Sequence, residues 1–216
     1  SYLSTGISIL IQLVYMPVMI RLLGQSEYGL YTLVSGVVSY LSLFSLGFSG
    51  AYLRFFSRFQ QKNDRDGLAS LNGMFFSLFC VLASAALICG ITLSFFPEQI
   101  FGSKLSSGEL REARILMVIM VINIAISLAG SIFDSIVSAY EQFIFQRIIS
   151  LCATVLNPFI CLPLLLLGYG NIMLVVVSLC STVARLALNL WFCFRKLRIP
   201  ISFHGFQLPL LKEIGT

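Results

Sequence analysis

Arg185 is an ionisable side chain within a long stretch of apolar sequence. Charged side chains are costly inside a bilayer, so a residue of this kind is a functional candidate. It lies ten residues before Arg195, which is about 15 Å along a helix and too deep for its head group to reach the interface easily. A guanidinium binds phosphate oxygens in a bidentate manner, which predicts that Arg185 faces a cavity and binds an anion. The structural alternative is an ion pair with a carboxylate on a neighbouring helix.

Asp134 is the candidate for that carboxylate. Its alternative roles are contact with a substrate and the carriage of a coupling proton or Na⁺. Asn123 and Asn157 also lie in apolar sequence, where an amide can hydrogen-bond either a ligand or another helix, and packing is the favoured role.

Two further arginines, Arg54 and Arg58, stand near the end of the second apolar run. They are one helical turn apart, so they share a face of a helix. They either bind an anionic head group at the mouth of a cavity or hold the helix end at the membrane surface by contacting anionic lipid.

The sequence contains little else that could do chemistry. None of the six cysteines forms a CxxC pair or stands at metal-ligand spacing from a histidine, so we predict structural thiols. They are Cys80, Cys89, Cys152, Cys161, Cys180 and Cys193. The single histidine, His204, lies beyond the last apolar run, and Glu98, Glu109 and Glu112 are predicted to lie in a solvated turn. We therefore predict a protein that is not an enzyme and that requires no metal or cofactor.

The elements that carry these residues are long runs without charge, at 1–20, 28–53, 67–97, 115–133 and 148–184. A helix needs about 20 mostly apolar residues to cross the hydrocarbon core of a bilayer. The chain is 58% hydrophobic and 11% charged, with a mean hydropathy of +0.94, whereas an ordinary soluble domain has about 25% charged residues. This composition excludes a soluble enzyme, and it leaves no solvated basic domain for binding nucleic acid.

We predict an all-α, polytopic membrane protein with six spanning helices. Their predicted bounds are 2–23, 28–56, 68–96, 113–138, 145–167 and 172–194. Gly24 and Gly29 predict a turn between the first two helices, and Pro17 predicts a bend in the first. The segment 138–147 is either an interfacial segment or a helix end with an aromatic anchor.

The distribution of lysine and arginine predicts the orientation, because these residues favour the cytoplasmic side. Nine of them lie in the 2–3 loop, the 4–5 loop and the tail: Arg54, Arg58, Lys62, Arg65, Arg147, Arg195, Lys196, Arg198 and Lys212. Four lie on the other side: Arg21, Lys104, Arg111 and Arg114. We therefore expect both termini in the cytoplasm.

Three blocks of sequence then resemble the polysaccharide-biosynthesis flippases of the O-antigen translocase type. The first block, 15–31, reads YMPVMIRLLGQSEYGLY and resembles the opening of that family, in which Arg-x-Leu-Gly-x-x-x-Tyr-Gly precedes the second helix. The second, 46–55, reads LGFSGAYLRF, and the third, 139–145, reads AYEQFIF and resembles a linker before the fifth helix. The turn Gly-Tyr-Gly-Asn at 168–171 also fits.

The resemblance implies the fold of the multidrug/oligosaccharidyl-lipid/polysaccharide exporter superfamily, with two six-helix lobes around a cavity. Residues 1–198 would be one lobe, and 199–216 a cytoplasmic linker toward a second lobe. Ser1 stands where Met would begin a chain, and an apolar run follows at once without a signal-peptide pattern, so we expect a truncated start.

The function implied is the flipping of an undecaprenyl-pyrophosphate-linked oligosaccharide across the inner or plasma membrane. O-antigen, capsule or exopolysaccharide synthesis would use such a step. The residues expected to contact the substrate are Arg185, Arg54, Asp134 and Asn123. Membrane lipid, a glycan polymerase and other envelope-assembly proteins are the expected partners. The alternatives are a cation-coupled drug antiporter of the same superfamily and a membrane scaffold that does not transport.

Overall fold

The computed structural model describes residues 2–45, 48–62, 64–97, 99, 105–197 and 199, and the regular structure within them is helical. In chain order the helices are α1 (Tyr2–Ser39), a 3₁₀ segment (Tyr40–Ser45), α2 (Phe48–Gln61), α3 (Arg65–Ser94), α4 (Ser107–Ala139), α5 (Phe143–Leu166), α6 (Gly170–Trp191) and a π-helical turn (Phe192–Lys196). The predicted linker and His204 lie outside the described residues, apart from Ile199.

Five stretches of the described residues are long and apolar enough to cross a membrane. They are Ile9–Gln61, Arg65–Ser94, Ser107–Ala139, Phe143–Leu166 and Gly170–Lys196. The four later stretches match the four later predicted helices to within a few residues, except that α4 begins earlier. The all-α prediction is therefore confirmed for this part of the chain.

The first stretch is divided at Gly24, whose backbone is not helical, at φ 82° and ψ 164°. Only glycine adopts this conformation without steric cost. The non-helical backbone at Gly24 therefore breaks the first stretch where the sequence predicts a turn between the first two helices. Pro17 lies inside the helical segment that precedes the break.

The second predicted helix, 28–56, is not continuous. After α1 ends at Ser39 the chain forms a 3₁₀ segment, and α2 begins at Phe48. The hydroxyl of Ser39 donates to the carbonyls of Ser35 (2.6 Å) and Gly36 (3.0 Å), and that of Ser42 donates to the Ser39 carbonyl (2.6 Å). Such bonds weaken and bend a helix but do not break one alone, since Ser84 makes the same kind of bond inside the continuous α3. Apolar patterning does not reveal the break.

The solvated turn predicted between the third and fourth helices is also wrong in its second half, because α4 begins at Ser107. Ser106 and Glu109 form a capping box, in which the Ser106 hydroxyl accepts from the Glu109 amide (3.3 Å) and the Glu109 carboxylate accepts from the Ser106 amide (2.8 Å). Glu109 and Glu112 therefore lie on a helix, whereas Glu98 lies outside the described residues.

Aromatic side chains fill the core where α2 packs on α3 and α4. The largest of these buried side chains are Tyr52, Phe55, Phe56, Phe75 and Phe79. The hydroxyl of Tyr52 donates to Asn72 Oδ1 at 2.7 Å, so both buried polar groups are satisfied at that contact. Helix α4 packs extensively on both α3 and α6, which makes it the central helix of the bundle.

Candidate functional site

The structure pairs Arg185 of α6 with Asp134 of α4. Arg185 Nη2 donates to Asp134 Oδ1 at 3.1 Å, and the two side chains are 47% and 31% exposed. The pair is therefore formed but not sealed between the helices. A guanidinium carries five N–H donors, so donors remain on the open side of the pair.

A third residue, Asn189, also bonds the Asp134 carboxylate, and the sequence alone did not single it out. Its Nδ2 donates to the same Asp134 Oδ1 at 2.7 Å, and its Oδ1 is buried without a partner among the described residues. Asn189 is almost fully buried, so it holds the carboxylate against α6 from the inner side while Arg185 meets it from the outer side. This geometry fixes the position of the Asp134 carboxylate.

The backbone at Asp134 is tied to the start of α5. Gln146 Nε2 donates to the Asp134 carbonyl at 2.6 Å, and the Ser138 hydroxyl donates to Gln146 Oε1 at 3.0 Å.

The intervening residues 140–142 form a turn between two helix ends, with Tyr140 packed edge-on against Phe56 at 5.0 Å between ring centroids. Burial raises the pKa of the Tyr140 hydroxyl, so it stays neutral. Segment 138–147 therefore consists of two helix ends joined by a short turn.

Polar residues line one face of α4 and one face of α6 where the two helices meet. On α4 they are Asn123, Ser127, Ser131 and Asp134, and on α6 they are Ser178, Thr182, Arg185 and Asn189. We call these eight residues the polar face. Their spacings of three and four residues put each set on one side of its helix. This periodicity is visible in the sequence, although no single member of the set indicates it.

The polar face borders two cavities. One, of about 160 Å³, lies beside Asp134, Arg185 and Asn189 and is also lined by Ser127 and Thr182. The other, of about 180 Å³, is lined by residues of α1, α4 and α6. Its polar lining consists of Tyr31, Ser35, Ser39, Asn123 and Ser178. Asn123 Nδ2 donates to Ser178 Oγ at 3.1 Å, so Asn123 bridges α4 and α6 while lining a cavity.

Arg54 lies apart from this arrangement. It is exposed on α2, with its guanidinium 5.3 Å from the centroid of the Phe55 ring, and it lines neither cavity. Of the four residues predicted to contact substrate, the structure therefore brings together Asp134 and Arg185, puts Asn123 on the same face of α4 as Asp134, and leaves Arg54 elsewhere.

The opposite end of the bundle has a polar cluster that the sequence analysis did not identify. Asn171 Nδ2 donates to the Glu27 carbonyl (2.9 Å) and to Glu112 Oε1 (3.3 Å), and the Ser26 hydroxyl donates to Glu109 Oε1 (2.9 Å). These bonds join the turn after Gly24 to the first turns of α4 and α6. They depend on contacts between residues far apart in sequence, which single-sequence patterns do not reveal.

The described residues contain no group of three or more His, Cys, Asp or Glu side chains that could hold a metal ion. All six cysteines are free, and Cys161 and Cys193 are buried.

A bundle of membrane-length helices with a polar face and cavities around an open ion pair is the architecture of a multi-pass membrane protein. The sequence profile of the family described as "Polysaccharide biosynthesis protein" matches residues 1–214 of this chain. The chain belongs to this family, as its three resembling blocks predict. No curated protein and no solved structure showed a significant match.

Proposed function

We propose that this chain is the amino-terminal lobe of an exporter that flips a lipid-linked oligosaccharide across the inner or plasma membrane. The substrate is an undecaprenyl-pyrophosphate-linked glycan for O-antigen, capsule or exopolysaccharide synthesis. The observation that carries the proposal is the half-exposed Arg185 guanidinium, held by Asp134 beside a cavity in a polysaccharide-biosynthesis membrane protein.

Arg185 binds the anionic end of the substrate in this proposal. Among the described residues, one hydrogen bond to another side chain, at 3.1 Å, engages its guanidinium, so the remaining donors can take phosphate oxygens in a forked geometry. Asp134 is a positioning residue, because its carboxylate accepts from both Arg185 and the buried Asn189. The carboxylate also lowers the cost of keeping a cation at this depth when no substrate is bound.

The proposed topology has six spans with both termini in the cytoplasm. Residues 2–23, before Gly24, form a helical segment that is about 33 Å long at 1.5 Å per residue, which is enough to cross the hydrocarbon core by itself. Residues 25–61 then return across the membrane, and the four later helices add four spans. In this orientation Arg185 lies toward the cytoplasmic end, and Arg54 lies near the cytoplasmic mouth, where it meets the anionic head group first.

Transport proceeds by alternating access, in which this lobe and a second lobe rock about the shared cavity. The substrate is moved without a covalent change, so the protein is not an enzyme. The partners proposed are the lipid-linked substrate, membrane lipid, and the glycan polymerase and other envelope-assembly proteins that act on the flipped product. No nucleic acid is involved.

The experiment is a flipping assay with the full-length protein in proteoliposomes, using a fluorescent polyprenyl-pyrophosphate-linked oligosaccharide and a quencher outside the vesicle. We expect the wild type to move the lipid, Arg185→Lys to keep part of the rate, and Arg185→Ala to abolish it while the protein stays inserted. Arg111→Ala, at an exposed position in the first turns of α4, is the matched control and should flip normally. Normal flipping by Arg185→Ala would contradict the role of Arg185, and no flipping by the wild type would favour a scaffold.

A further inference from the structure

A third cavity, of about 350 Å³, lies next to the polar face but has a different chemical character. Its polar lining comes from α1, α5 and α6 and consists of Tyr15, Tyr31, Thr154, Asn157, Cys161 and Ser178. None of the described residues that line it is charged. We call it the neutral cavity. Its volume is within the range of about 300–1,000 Å³ that is typical of small-molecule sites.

The side chains of the neutral cavity keep hydrogen-bonding capacity beyond the contacts that they make with one another, in which Cys161 interacts with both Tyr15 and Asn157. Asn157 Oδ1 accepts from Cys161 Sγ at 3.1 Å, and Asn157 Nδ2 has no partner within the described residues. Tyr15 and Tyr31 are both half-buried, and each combines an aromatic face with a hydroxyl group. The cavity therefore presents an amide donor, hydroxyls and ring faces, with no charge among them.

The neutral cavity adjoins the cavity of about 180 Å³, and its Ser178 lies two helical turns from Arg185 on α6. It shares Tyr31 and Ser178 with the cavity of about 180 Å³, which in turn reaches Asn123 on the polar face. Ser178 and Arg185 lie on the same face of α6, seven residues apart, which corresponds to about 10 Å along the helix axis. A ligand whose anionic end is at Arg185 can therefore extend an adjoining group into the neutral cavity.

We propose that the neutral cavity binds uncharged, hydroxyl-rich sugar residues of the lipid-linked substrate, adjacent to the pyrophosphate held at Arg185. The inference rests on the proposed function and names a second subsite for the same substrate. Sugars present hydroxyl groups that pair with Asn157 and the tyrosine hydroxyls, and C–H faces that pack on the tyrosine rings. An acidic sugar would find no cation there, and burying its unpaired carboxylate would be costly.

The test measures binding to the full-length protein in lipid nanodiscs by calorimetry. The probes are farnesyl pyrophosphate and four conjugates in which its terminal phosphate carries glucose, galactose, mannose or N-acetylglucosamine. At least one conjugate should bind the wild type about tenfold more tightly than farnesyl pyrophosphate, the gain expected from one or two added hydrogen bonds. Asn157→Leu, Tyr15→Phe and Thr154→Val should each reduce that preference about fivefold, or remove it, without changing the affinity for farnesyl pyrophosphate.

Two matched controls separate the cavity from general effects. The Thr92 hydroxyl donates to the Ile88 carbonyl (2.7 Å) as the Thr154 hydroxyl donates to the Ser150 carbonyl (2.9 Å), but Thr92 is exposed on α3 and does not line the cavity. Thr92→Val should therefore leave the sugar preference intact. Tyr40→Phe, at a position 73% exposed, should do the same and controls for Tyr15→Phe.

The outcomes distinguish this inference from the proposed function. If farnesyl pyrophosphate binds through Arg185 but no conjugate binds more tightly, or if the preference survives Asn157→Leu combined with Tyr15→Phe, the sugar subsite is refuted and the anion site stands. If farnesyl pyrophosphate binds equally well to Arg185→Met while the sugar preference still depends on Asn157, the anion site is refuted and the sugar subsite stands.

Discussion

Replacing Asp134 by alanine tests how the Arg185 site is built. Asn189 would lose a 2.7 Å bond to a carboxylate, and its amide, which already has an unpartnered Oδ1, would be left buried without a partner. Hydrogen bonds to charged groups contribute about 1.5–3 kcal/mol. The contact with Arg185 adds only about 0.5–1 kcal/mol, because its side chain is 47% exposed and the pair is screened. We expect Asp134→Ala to lower the free energy of unfolding by about 2–4 kcal/mol, and Asp134→Asn, which keeps an acceptor, by about 1 kcal/mol.

Double-mutant cycles on the full-length protein, unfolded in mixed micelles, measure the two contacts separately. Asp134→Ala combined with Asn189→Ala should give a coupling energy of about 1.5–3 kcal/mol. Asp134→Ala combined with Arg185→Met should give only about 0.5–1 kcal/mol. A coupling energy between Asp134 and Arg185 of about 3 kcal/mol or more is typical of a sealed ion pair. That result would show that the pair is structural and not open to a ligand.

Three further substitutions test the fold. Gly24→Ala should cost about 1–2 kcal/mol of stability in the same unfolding assay, because φ is +82° there, and no loss would contradict the break in α1. Ser106→Ala should cost about 1 kcal/mol through the lost cap of α4, with Ser84→Ala, exposed on α3, as the neutral control. Tyr52→Phe should cost about 0.5–1.5 kcal/mol because it removes the 2.7 Å hydrogen bond to Asn72 Oδ1, and a cost near zero would contradict a stabilising role for this bond.

The sequence predicts most of the helices, because a run without charge long enough to cross a bilayer has few alternatives to helix. The break at Gly24 is also predictable, since Gly24 and Gly29 lie between the first two apolar runs. The interruption after Ser39 is not, because apolar patterning continues through it. The early start of α4 was predictable in principle from the Ser106 and Glu109 capping box, but the charged residues there led to the prediction of a turn.

The candidate site is less accessible to sequence reasoning than the fold. Asp134 and Arg185 stand out because charge is rare in apolar runs, and their pairing was one of the alternatives considered. Asn189 and Ser127 do not stand out singly, since asparagine and serine occur throughout such helices. They become informative only when the spacing along α4 and α6 is read together, and which helices face each other follows from tertiary packing.

We expect the cavity beside Arg185 to be open to water and to receive the anionic end of the substrate. The most direct test is the labelling of Ser127→Cys, an exposed residue of that cavity, in a full-length background without the native cysteines. A charged thiol reagent should label this cysteine, and farnesyl pyrophosphate should slow the labelling severalfold unless Arg185 is changed to Met. Ser84→Cys, exposed on α3 outside the cavity, should show no such protection. Failure to label Ser127→Cys would show that the cavity is closed to water, and protection that persists in Arg185→Met would show that Arg185 does not bind the anion.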